Sequence, residues 1–246
     1  MTGEKSHPTM KEGQASRFSG ENQHGWSPDI DDGVAVFNRM YLTVTELVRD
    51  RLTATWFDDP AAVAHLDGLF AARYLRAVDA AAAGDRPPAC WRPLFALRAH
   101  PGVHPLQSAL AGLNAHVEHD LPLAVVDTCR ALGLEPADLE ADYRRVNELL
   151  ARAESEVRAE LLPGGELLDA ADPLLHVCGV WSVDTAREAA WASVLGLWRL
   201  RAVPFAYAAA ASALDASVGL VSRALLTPLH GRAATGPPPG AGNGPG

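Results

Sequence analysis

Between residues 137 and 162 the chain places Leu139, Tyr143, Val146, Leu150, Ala153, Val157 and Leu161 at intervals of three and four. That spacing returns to one face of an α-helix. It fits neither face of a strand, where side chains alternate with period two. The same rhythm fills most of the chain. Val34, Phe37, Met40, Tyr41, Val44, Leu47 and Val48 stripe a helix over 33–53, and Val63, Leu66, Phe70, Tyr74 and Val78 stripe another from Pro60 to near Gly84. Asp59 before Pro60 is a start signal, because a carboxylate accepts from the free amides of a first turn and proline has no amide to leave unpaired. A short helix is expected over 93–99 and a longer one over 104–119. Pro122 then starts a new helix or kinks that one, and Gly133 stops the helix beyond it. Ser182 or Thr185 can cap a helix to about 203, Pro204 opens the last, and Asp172-Pro173 repeats the Asp-Pro start signal. No sustained apolar/polar alternation is flanked by hairpin turns. The expected fold is all-α, a single-domain bundle of about seven helices with disordered termini.

Composition supplies the filling for such a bundle. Hydrophobic residues make up 48% of 246, and aromatics only 7%, so alanine, leucine and valine must fill the core. The bundle is expected over 29–230, between a polar, aperiodic segment 1–28 and a Pro/Gly-rich tail 231–246, neither of which has the pattern to pack.

The same sequence excludes several partners and chemistries. Net charge is −9 and lysine occurs only at positions 5 and 11, so nothing provides the basic stripe that nucleic acid requires. Cys90, Cys129 and Cys178 lie far apart without a C-x-x-C pair, which reads as reduced thiols. No apolar leader opens the chain, and a cytoplasmic location is expected. The stretch "VPFAYAAAASALDASVGLV" is interrupted by Asp215 and is expected as a buried or interfacial helix, without stable membrane insertion. Its alanines would also suit close packing in a homodimer. G-x-S-x-G, a Gly-rich phosphate loop and H-E-x-x-H are all missing. Asp58 and Asp59 lack the further acid on the same face that a terpene-cyclase magnesium motif needs.

Helical phase then selects polar residues that fall on apolar faces. Asp67 lies on the stripe of Val63, Phe70 and Tyr74. In "LNAHVEHD" the spacing turns His116 and Asp120 toward the core and Glu118 and His119 toward water, with Asn114 on the other flank of the inward face. Asn147 falls between Tyr143 and Leu150, with Asp142 only at the edge of that face, and Arg187 falls beside Ala190, Val194 and Trp198. A buried arginine needs a carboxylate, and Asp67 and Asp120 are the candidates. Tyr74 and Trp191 belong to an aromatic wall that could line a pocket.

His116, Asp120 and Asp67 admit three readings. They can be three ligands of one divalent metal ion. They can be an acid/base centre in which His116 titrates near neutrality. They can be a structural polar network, with Asp120 capping the helix that starts at Pro122.

The blocks "GVAVFNRMYLTVTELV", "LDGLFAARYLRAVDA", "WRPLFALR", "LQSALAGLNAHVEHDLPLAVVDTC", "ADYRRVNELLA" and "WSVDTAREAAWASVLGLW" occur in this order. Over residues 30 to 226 they resemble an uncharacterised bacterial family known only as a domain of unknown function. The resemblance implies a wholly helical, soluble protein centred on Asn-x-His-x-x-x-Asp, matched by Asn114, His116 and Asp120. It carries no activity with it. The expectation is a small-molecule enzyme acting on a largely apolar substrate, with a secondary-metabolism cyclisation or hydrolysis step as one setting. His116, Asp120 and Asp67 would form its centre, with Asn114, Asn147, Arg187, Tyr74 and Trp191 around the substrate. The alternative is a non-catalytic helical module that binds a lipid-like ligand or a partner protein.

Overall fold

The computed structural model describes residues 32–51, 55–161 and 182–228, except for the side chains of 47, 148, 149 and 151–161. The expectations for 1–28, 231–246, Cys178 and Asp172-Pro173, and the stripe positions Leu47, Ala153, Val157 and Leu161, lie outside that description.

Among the described residues every regular element is helical. In chain order they are α1 (Gly33–Arg49), α2 (Pro60–Ala82), α3 (Arg92–Leu97), α4 (Pro105–Leu113), a π-helical segment (Asn114–Asp120), α5 (Leu121–Leu132), α6 (Pro136–Leu161), α7 (Val183–Leu200) and α8 (Pro204–Leu225). The start signals act as the sequence suggests. The Asp59 carboxylate accepts from the amides of Ala61 and Ala62, and Ser182 Oγ accepts from Thr185 N–H. Asp32 does the same for α1, accepting from Val34 and Ala35 while its carboxylate also pairs with Arg98. At Gly133 the backbone turns left-handed with φ +69°, which ends α5 where a side chain would be strained.

One rod organises the rest. α4, the π segment and α5 run without interruption from Pro105 to Leu132. α1 packs on its first part and α2 on its last, α7 lies along the π segment and α5, and α8 lies along the π segment and α4. α6 closes the remaining side against α1 and α7. Pro122 therefore does not separate two helices. Its ring would collide with the carbonyl four residues earlier in a regular α-helix. The rod widens just before it instead, and Leu121 N–H reaches five residues back to the carbonyl of His116. At Gly112 the α1 side chain Phe37 comes so near that an added Cβ would lie 2.3 Å from its ring, so glycine sets the approach of α1 to the rod.

Of the two expectations for α8, buried or interfacial, the first does not hold. It is long and apolar enough to cross a membrane by length and composition, yet only 17% of that window is buried. Its inward stripe is Val218, Gly219, Ser222 and Leu225, while Phe205 and Leu220 are exposed. The physical reason is its place at the edge of the bundle, where one stripe meets the rod and no element covers the opposite face among the described residues. Asp215 does not face outward either: its carboxylate accepts from the amides of Ala89 and Cys90, just ahead of α3.

Candidate functional site

The wide turn puts Asp120 at the centre of a buried hydrogen-bond cluster. Its Oδ2 accepts from Trp91 Nε1–H at 3.0 Å and from His116 Nδ1 at 3.1 Å, and its Oδ1 accepts from His119 Nδ1 at 2.8 Å. The carboxylate is 1% exposed. Burial alone would raise its pKa, but the hydrogen bonds from the two imidazoles outweigh that and hold it below the usual carboxylate range. Asp120 is thus ionised and can only accept, which assigns the Nδ1 proton to each histidine.

His116 is 2% exposed, and its burial lowers its pKa against the opposing pull of Asp120. It is a neutral imidazole at neutral pH, with Nδ1–H on Asp120 and a lone pair on Nε2. That Nε2 is buried and has no hydrogen-bond partner. Phe70 stacks on the ring at 3.6 Å between centroids and 8° between planes, and Tyr41 and Phe37 meet it edge-on at 5.0 and 6.0 Å. The aromatic walls and the Asp120 bond fix the ring, so Nε2 has one direction in which to act.

His116 lines a cavity of about 100 Å³ between α1, α2, the π segment, α6 and α7. Its walls are largely apolar, formed by Phe37, Met40, Phe70, Leu121, Leu139 and Val146 among others. Asp67, Tyr41, Thr45, Asp142, Tyr143 and Arg187 are the other polar or charged side chains on the wall. Burial pushes the Asp67 carboxyl up to about 6, so it is part protonated near neutrality. Tyr41 is raised by burial and by the charge of Asp67. Thr45 hydroxyl donates back to the Tyr41 carbonyl at 2.8 Å. Among the described residues no serine or cysteine lines the cavity.

Of the residues singled out in the sequence, Asp67, His116 and Arg187 meet on this wall, and Asp120 stands directly behind His116. Asp142 lines it as well, whereas Asn114, Tyr74, Trp191 and Asn147 do not. Asn114 turns to α8, where its Nδ2 donates to the Val218 carbonyl at 3.1 Å and to Ser222 Oγ at 3.0 Å. Tyr74 is fully buried behind Phe37, with its hydroxyl on Asn38. Trp191 packs against Tyr143 at 4.6 Å, and Asn147 holds the Arg187 side chain through its Oδ1.

Three expectations need correction. His119 does not face water: it is 7% exposed and bonds Asp120. Phase correctly turns it away from His116, but that other side is covered by α8 and the segment before α3. Arg187 pairs with neither Asp67 nor Asp120. It donates to Asn147 and to the Tyr143 carbonyl and lies over the Tyr143 ring at 4.0 Å. Asp142 is 2% exposed rather than at a margin, because its carboxylate accepts from the amides of Asp58 and Asp59 and pairs with Arg145. Phase on one helix cannot see a distant loop docking on it, here from 83 and 84 residues away.

The metal set also changes. Among the described residues, the group with ligand atoms within 4.8 Å of one another is Cys90, His119 and Asp120, and Asp67 is not in it. The Cys90 thiol is raised far above its usual range by burial and by Asp120 and Asp215, which opposes the thiolate that a metal needs. The Asp120 oxygens already accept three N–H bonds, and His119 Nε2 lies 3.8 Å from Asp215 Oδ1. Hydrogen bonding accounts for these positions. Helical phase does not mark Cys90, Trp91 and Asp215 as neighbours of this cluster. The one signal is that Asp215 interrupts an otherwise uncharged apolar run.

Comparison with known proteins gives a family and no relative of known activity. The chain matches the model described as Family of unknown function (DUF5995) over residues 21–228. No curated protein and no solved structure matches.

Proposed function

We propose that this chain, which belongs to that family of unknown function, is an acid/base enzyme acting on a small, largely apolar molecule bound between α1, α2, α6 and α7. The observation that carries the reading is the pairing of two states on one imidazole. His116 Nδ1–H is held by an ionised carboxylate that accepts three N–H bonds, while Nε2 is buried, unpartnered and on a ring that lines a cavity. An unpaired buried nitrogen costs stability that an apolar side chain would not. A substrate proton is what that nitrogen is placed to accept.

The residues divide the work. His116 Nε2 takes a proton, and the Asp120 carboxylate orients the ring and stabilises the imidazolium that forms. Asp67, still part protonated near neutrality, gives a proton to the substrate or takes one from it. The apolar walls exclude water and strengthen both interactions. With no serine or cysteine on the wall among the described residues, the reading rests on proton transfer by His116 and Asp67. An engineered cavity of about 150 Å³ holds benzene, so 100 Å³ suits a substrate portion smaller than that ring, such as a short chain.

The test incubates the protein in D₂O with small ketones, esters and alkenes and follows deuterium uptake and conversion by NMR. Wild type should act on at least one class, and folded His116→Ala should be about 10²- to 10⁴-fold slower. If apolar probes bind but none reacts in a His116-dependent way, the cavity is a binding site and the catalytic reading fails.

A further inference from the structure

Arg187 is 4% exposed and forms part of the cavity wall. Its Nε donates to Asn147, and one terminal nitrogen donates to the Tyr143 carbonyl at 2.6 Å. A guanidinium carries five N–H donors and stays charged in proteins, so most of its donor capacity is left over. No carboxylate among the described residues lies within ion-pair distance of it. Asp184 and Glu188 act on it through their charge but form no ion pair with it. Glu188 pairs with Arg144 at 2.8 Å, and Asp184 is exposed on the first turn of α7. Asp142 is engaged by Arg145 and two amides. Asp67 shares the cavity, and no ion pair joins it to Arg187 among the described residues; burial is what raises its carboxyl.

A buried cation without a counter-ion is among the costlier arrangements in a protein. The cavity therefore has two poles, the Arg187 cation at α7 and the His116 base at the π segment, with Phe70, Val117, Leu121 and Leu139 on the wall as well. We propose that the ligand of this cavity is a small apolar monocarboxylate, with its carboxylate on Arg187 and its hydrocarbon part extending toward His116. The proposal rests on the reading of this cavity as a small-molecule site and names the class of molecule it takes. A carboxylate matches the planar fork of the guanidinium. Arg187 is the one cation on the wall among the described residues, and Asp67 on the same wall is largely ionised above about pH 6. A single negative charge is therefore the most the cavity can take, and a dianionic phosphate would leave charge uncompensated. In the proposed complex the carboxylate is a handle that seats the molecule against Arg187.

The experiment titrates full-length protein at pH 7 with butyrate and hexanoate, and with butyramide and hexanamide as neutral counterparts of nearly the same shape. Binding is read from the NMR signals of His116 and the Arg187 side chain. The acids should bind at least about tenfold more tightly than the amides, as hydrogen bonds to charged groups require. Arg187→Met should erase the preference, and Arg187→Lys should keep part of it. Should the Met variant not fold, the acid-to-amide ratio in wild type and in Arg187→Lys decides. Equal binding of acids and amides overturns the proposal while leaving the cavity reading intact. A preference that survives in Arg187→Met overturns the assignment to Arg187. If no probe of either kind perturbs His116, both the proposal and the cavity reading fail.

Discussion

His116 Nδ1 lies 3.1 Å from Asp120 Oδ2, four residues on, while its other ring nitrogen is buried without a partner. The two halves of one side chain therefore have opposite roles. One is held by the fold and the other is left for something the fold does not supply.

Replacing Asp120 by Asn should destabilise the protein and disturb His116. One amide N–H would face donors where a carboxylate accepted three, and a buried mismatch of this kind costs about 1–3 kcal/mol. Urea unfolding at pH 7 should show the loss. Asp120→Asn as stable as wild type would mean that the three N–H groups find other acceptors and that the carboxylate is not the hub.

Asp67→Asn should have the opposite effect at neutral pH. The folded-state pKa of Asp67 is raised from 3.8 to about 6. A raised acid favours the folded state only while protonated: that contribution is full below about 3.8 and is lost as pH rises through about 6. Above that range the ionised carboxylate opposes folding, by an amount on the order of 1–2 kcal/mol once screening at a part-exposed group is allowed for. Thermal melts of the Asn variant and wild type should diverge as pH rises from about 3.8 through about 6, with the variant ahead above that range. Parallel curves would show that Asp67 titrates normally.

Asn114→Ala removes the two donations to Val218 and Ser222 that fasten α8 to the rod. The expected cost is about 1–3 kcal/mol, with faster amide exchange concentrated in residues 214–225. Exchange that rises evenly across the protein would contradict a local fastening.

Metal content separates hydrogen bonding from coordination at Cys90, His119 and Asp120. Protein purified without chelator should hold well under one equivalent of zinc or iron, and chelator should leave the melting temperature unchanged. One equivalent of metal lost in Cys90→Ser would show coordination there.

The fold is legible because helix signals are local. Asp59 with Pro60, Ser182 and the stripe of Leu139, Tyr143 and Val146 each report on their own turn of chain, and each forms as its neighbours dictate. The inward turn of His116 and Asp120 is legible for the same reason. The burial of His119 is not. Phase gives the direction of a side chain but not what stands there, and α8 arrives from about 100 residues downstream to bury it. The partners of Arg187 are hidden on similar grounds. Charge complementarity suggests a carboxylate, while the fold provides an amide, a carbonyl and an aromatic face.

Everything proposed for the cavity depends on one proton on one ring, and ¹⁵N NMR of the histidine side chains reads it directly. His116 should be neutral at pH 7 with its proton on Nδ1 and should stay so well below about pH 6.5, and Asp120→Asn should upset this tautomer. A His116 found with its proton on Nε2, or charged at pH 7, would contradict the assignment of Nε2 as the base.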